Sequence, residues 1–118
     1  MTAKPWIAVD FDGTLAKFTS DGSIGAPIQP MWDRVNQWLK EGKTVRIFTV
    51  RAGDDEQVTA VQKWLKKNNL PVLPITNIKS AGLQSLWDDR AVRVHRNTGK
   101  ICNGCNSVQH SGHEITDC

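Results

Sequence analysis

Two stretches with helical apolar spacing, each set between short β-branched runs, restrict this chain to a narrow group of folds. The first carries Ile28, Met31, Trp32, Val35, Trp38 and Leu39 at intervals of three and four, and Gly42 follows as a stop. Pro30 suits its first turn, where a missing N–H costs nothing. The second carries Val58, Val61, Trp64 and Leu65, opened by Asp54 and Gln57 at capping-box spacing. Lys66 and Lys67 in its last turn complement the helix dipole. Around these helices Trp6-Ile7-Ala8-Val9 reads as a buried strand that ends in acids and Gly13, and Thr44–Thr49 as a second strand. Val72–Ile75 reads as a third, while Leu86–Asp89 and Ala91–Val94 read as two more short strands or one interrupted strand. Strands and helices alternating at this spacing imply βαβ units, a parallel sheet and helices on its faces.

With 118 residues the chain has room for one domain, and 39% hydrophobic with 23% charged residues is an ordinary globular balance. No apolar run approaches the ~20 residues that cross a bilayer, and no signal peptide precedes the first strand. A membrane span and secretion are therefore not expected, and a cytoplasmic location is. The five tryptophans fall mostly on apolar faces and are expected in the core. A net charge of +3 permits phosphate-bearing partners without demanding them. Cys102, Cys105 and Cys118 form an odd, clustered set, which suits a reducing compartment or a metal better than a disulfide framework.

In an open parallel sheet, chemistry collects at the carboxyl ends of the strands. Here the first strand ends in Asp10-Phe11-Asp12-Gly13-Thr14, the second in Thr49-Val50-Arg51, and the last in Asp88-Asp89, with Lys79 after the third. Asp10 and Asp12, two apart, would share a strand face unless the Gly13 turn re-aims the second. Four clustered carboxylates need a counter-charge, and Mg²⁺ with oxygen ligands supplies it. Thr49 can donate to a phosphate oxygen and Lys79 can meet its charge. Arg51 either touches substrate phosphate or pairs with Asp54 or Asp55.

Asp10-Phe11-Asp12-Gly13-Thr14-Leu15 resembles the first motif of the haloacid dehalogenase (HAD) superfamily of phosphohydrolases. Ile47-Phe48-Thr49, Lys79 and Asp88-Asp89 follow in the order of its second, third and fourth motifs, so the resemblance runs to about Val94. It implies a three-layer α/β/α, Rossmann-like fold with a mainly parallel central sheet. It further implies that Asp10 is a nucleophile forming an aspartyl phosphate, and that Asp12 is the general acid and then the base. Thr49 and Lys79 would hold the phosphoryl group. Mg²⁺ would be held by Asp10, the Asp12 backbone carbonyl and Asp88 or Asp89. The connections after Gly13 and after Thr49 leave no room for a cap domain, so the expected enzyme is a capless phosphatase whose open site admits large phosphoesters such as nucleic-acid ends. Lys63, Lys66, Lys67, Arg93, Arg96 and Lys100 would tolerate such a partner, or are simply solvated.

The catalytic core is expected over residues 1–100 and a Cys/His tail over 101–118. In that tail Cys102, Cys105, His110, His113 and Cys118 offer five candidates for a four-ligand Zn²⁺ site, the rival being a flexible polar segment. Two non-enzymatic readings compete. A phosphoaspartate receiver module has similar length and acids, but its acidic pair comes first and its Lys last, whereas here an acidic pair follows Lys79. A catalytically idle HAD-like binding protein is disfavoured because every motif position carries a reactive side chain.

Overall fold

A computed structural model describes residues 4–102. Strand β1, Trp6–Asp10, is almost wholly buried, as a run with apolar residues on both faces must be. It is followed by helix α1 (Gln29–Lys40), strand β2 (Val45–Phe48), a 3-10 turn (Val50–Gly53), helix α2 (Asp55–Lys67), strand β3 (Ile75–Thr76) and strand β4 (Leu83–Trp87). The four strands form one sheet in the order β3-β2-β1-β4, and every pairing is parallel. The expected α/β class with a parallel sheet is therefore observed. No helix among the described residues is long and apolar enough to cross a membrane.

Both helices end where local chemistry lets the chain reverse. After α1 the N–H groups of Gly42 and Lys43 donate to the carbonyls of Leu39 and Trp38, a Schellman closure that places Gly42 at φ 77°. After α2 the same pattern runs from Asn69 to Lys66 and from Leu70 to Leu65, with Asn69 at φ 60°. Asn tolerates that conformation better than most side chains, and Leu70 behind it is buried. The apolar stripes of the two helices, Met31, Val35 and Trp38 with Val61, Trp64 and Leu65, enclose Ile7, Val9, Val45 and Ile47 in one core. On the other side of β1, the Arg46 guanidinium lies 4.5 Å from the Trp6 ring centroid and donates to Ser80 at 3.2 Å, while the Trp6 indole donates to the Ala81 carbonyl.

Four local expectations are corrected. The third strand begins at Ile75 rather than Val72, because Pro71 and Pro74 have no N–H to give a ladder; Val72 is exposed. The fourth runs over Leu83–Trp87 rather than Leu86–Asp89, so both acids lie beyond the strand instead of in it. The polar Gln84 and Ser85 hid this strand, which sits at the sheet edge where one side need not be apolar. Ala91–Val94 is not a sheet strand; Val94 makes a single antiparallel bridge to Ile101 in a small hairpin. Asp54 does cap α2 by accepting from the Glu56 N–H at 2.9 Å, but Gln57 does not complete the capping box.

Candidate functional site

The first acidic motif is anchored by its apolar residues. Phe11 and Leu15 are fully buried, and Phe11 meets Trp64 edge-on with ring centroids 5.0 Å apart. With those two side chains in the core, the polar residues between them face the carboxyl end of the sheet. Gly13 turns the chain at φ 92°, and a Cβ there would stand 2.6 Å from Asp89 Oδ2. Only glycine satisfies both the backbone and the contact.

That turn sends the two motif acids to different partners. Asp10 joins Asp88 and Asp89: one oxygen from each lies within 4.8 Å of the others. The Thr14 hydroxyl stands between two of them, 3.1 Å from Asp10 Oδ2 and 3.2 Å from Asp89 Oδ1. Asp88 also accepts the Arg90 backbone N–H at 2.7 Å. Burial, a hydrogen bond with Asp89 and the charge of Asp88 push the Asp10 carboxyl from its ordinary 3.8 up to about 7, against the opposing hydrogen bond from Thr14.

Asp12 instead meets Arg51. The guanidinium Nε donates to Asp12 Oδ2 and Nη2 to Oδ1, both at 2.8 Å, with side-chain exposures of 12% for Arg51 and 23% for Asp12. The pairing holds the guanidinium in its protonated form more firmly than usual. Asp54 and Asp55, the partners expected from proximity in sequence, are not the ones Arg51 uses. The Asp12 carboxylate is accordingly outside the acidic cluster, so only its backbone remains for the metal role assigned to it.

Thr49, the buried residue after β2, accepts the Arg51 backbone N–H at 3.2 Å and so starts the 3-10 turn. Accepting there leaves its own proton for donation. Lys79 lies exposed in the connection between β3 and β4, and no hydrogen bond or ion pair among the described residues joins it to the acids. Cys102 is fully buried and carries no free thiol; Cys105, His110, His113 and Cys118 lie outside the described residues. Two contributors were missed in the sequence. Thr14 stood inside the motif as a hydroxyl next to acids, and that was its signal. Gln57 gave none, because its spacing from Asp54 imitates a capping box. Searches against protein-family models, curated proteins and solved structures returned no match.

Proposed function

We propose that the protein is a Mg²⁺-dependent phosphohydrolase that works through an aspartyl phosphate on Asp10. The observation that carries this reading is the convergence of Asp10, Asp88 and Asp89 at the carboxyl edge of a parallel sheet. All the donors are hard oxygens, and a set of a few carboxylates of this kind fits Mg²⁺. Asp10, Asp88 and Asp89 would hold the ion, with the Asp12 carbonyl as the further ligand implied by the resemblance. When bound, it supplies positive charge that keeps Asp10 ionised and offsets the phosphoryl oxygens.

The remaining work belongs to the chain. The Asp10 carboxylate attacks phosphorus as the ester P–O bond breaks. Asp12 gives a proton to the leaving oxygen, then takes one from the water that cleaves the aspartyl phosphate; this group is worth on the order of 10²- to 10⁴-fold. A carboxylate offers about four lone-pair sites, so one not used by Arg51 can carry that proton. Thr49 would donate to a phosphoryl oxygen and Lys79 would meet its charge, as the resemblance implies, while Arg51 holds Asp12. The reading carries with it a three-layer, capless core; for the capless part, among the described residues no helix or sheet strand lies between Asp10 and Gln29. It favours large phosphoesters such as nucleic-acid ends. Directly after Asp89, the segment Arg90–Cys102 holds Arg90, Arg93, Arg96 and Lys100 and no acid. The test is release of phosphate from p-nitrophenyl phosphate with Mg²⁺ by wild type and by Asp10→Asn. Wild-type turnover that vanishes in a folded Asp10→Asn supports the reading; undiminished turnover in the variant, or none in wild type, rejects it.

A further inference from the structure

The side chain of Gln57 has no capping duty to perform. The group it would cap, the Asp54 N–H, already donates to the Arg51 carbonyl at 3.2 Å. Gln57 turns instead to Arg51, and its Oε1 accepts from Nη1. Since a guanidinium can only donate, the carbonyl end of the amide must face it. The second Nη2 hydrogen goes to the Gly22 carbonyl at 3.0 Å. Four of the five guanidinium N–H bonds (a fork of fixed geometry) are thus committed, two of them to Asp12. Helix α2, the turn after β2 and the loop after β1 meet at this one side chain.

We propose that Gln57 is a positioning residue, which sets the Arg51 fork so that the fork aims Asp12 at the leaving-group oxygen. The proposal rests on the phosphohydrolase reading. The hydrogen bond of the Gln57 side chain among the described residues goes to Arg51, on the edge that Asp12 does not use, and so holds the guanidinium against rotation. A neutral acceptor is suited to this, because it leaves the full cationic charge to Asp12. Loss of the amide would free the guanidinium to turn, and the acid it steers would lose alignment while Asp10, Thr14, Asp88 and Asp89 stayed in place.

The leaving group separates this role from a merely structural one. An alkyl phosphate needs a proton on its departing oxygen; p-nitrophenolate departs without one. We expect Gln57→Leu to lose about tenfold in kcat/KM on glycerol phosphate and less than about twofold on p-nitrophenyl phosphate, both with Mg²⁺. Gln57→Glu, which restores an acceptor of the same length but adds a charge that competes with Asp12 for the guanidinium, should recover only part of that selective loss. Equal losses on both substrates, or no loss on either, would overturn the proposal while leaving the phosphohydrolase reading intact. A wild type that hydrolyses neither ester brings down that reading and this one with it. Should Gln57→Leu fail to fold, Arg51→Lys puts the same question, since a single ammonium cannot hold both Asp12 oxygens; the same selective loss is expected, and uniform behaviour on the two esters refutes.

Discussion

Burial of Asp10, with Asp89 and Asp88 beside it, should make the metal-free protein lose stability as pH rises, the reverse of what a salt-bridged acid does. The Asp10 carboxyl is raised from 3.8 to about 7, so between those values the folded chain holds a proton that the unfolded chain has released. Unfolding stability then falls with pH across that window. A tenfold change in proton affinity is worth about 1.4 kcal/mol, so a fully buried group displaced this far would contribute about 4 kcal/mol. Asp10 is only half-buried, and solvent screening reduces the figure to about 2 kcal/mol, or about 8 °C in Tm for a domain of this size. Thermal melts in EDTA at pH 5 and pH 8 span only the upper part of that window and should read about 60% of that figure. Asp21, lowered to about 2 by Ser23 and Thr19, is ionised throughout that range and adds no slope. Asp89→Asn alters the hydrogen bond that helps raise the Asp10 carboxyl but leaves burial, the larger cause. Its melts should therefore show a flatter dependence, and the difference between the two proteins cancels every titrating group they share. A wild type no less stable at pH 8 than at pH 5, or a variant with the same slope, would refute the reasoning. Mg²⁺ at about a hundred times its Kd should restore about 2.7 kcal/mol at pH 8.

Other outcomes follow from single contacts. Gly13→Ala forces a methyl group against Asp89 and strains a positive φ, so it should cost about 1–3 kcal/mol in chemical denaturation and weaken Mg²⁺ binding by calorimetry. Leu65→Ala, in the fully buried stripe of α2, should cost about 2–5 kcal/mol with no change in the ratio of alkyl to aryl phosphate turnover. Gly42→Ala, at the Schellman position, should cost about 1 kcal/mol in urea melts. Raising salt should slow hydrolysis of a phosphate-terminated oligonucleotide more steeply than that of p-nitrophenyl phosphate, and Lys100→Glu with Arg96→Glu should flatten the difference; equal salt slopes would argue against a nucleic-acid end.

Much of the architecture was legible along the chain. Helical spacing located α1 and α2 within a residue or two, because a stripe of Val35 and Trp38, or of Val61 and Leu65, has to find a core. The buried β1 stood out as a dense apolar run and β2 as a β-branched one. The edge of the sheet was harder to read. Gln84 and Ser85 interrupt β4, and two prolines delay β3, because an edge strand needs neither full burial nor a complete ladder. The acids at the strand ends were also visible, since a parallel sheet brings such ends together whatever lies between them.

Which acid meets which partner was decided only by folding. Asp10 and Asp12 are near-identical in the chain, yet one enters a crowd of carboxylates and the other a guanidinium fork. The residues responsible lie far away in sequence: Asp89 by 79 positions from Asp10 and Arg51 by 39 from Asp12. Local pattern carries the propensity of a segment and the face it must bury. Pairing between side chains depends on where separate turns end in space, and the Gly13 turn, the buried Phe11 and the 3-10 turn after Thr49 set that here. Gln57 shows the limit most plainly, for its spacing predicts a cap and only the packed structure turns it toward Arg51.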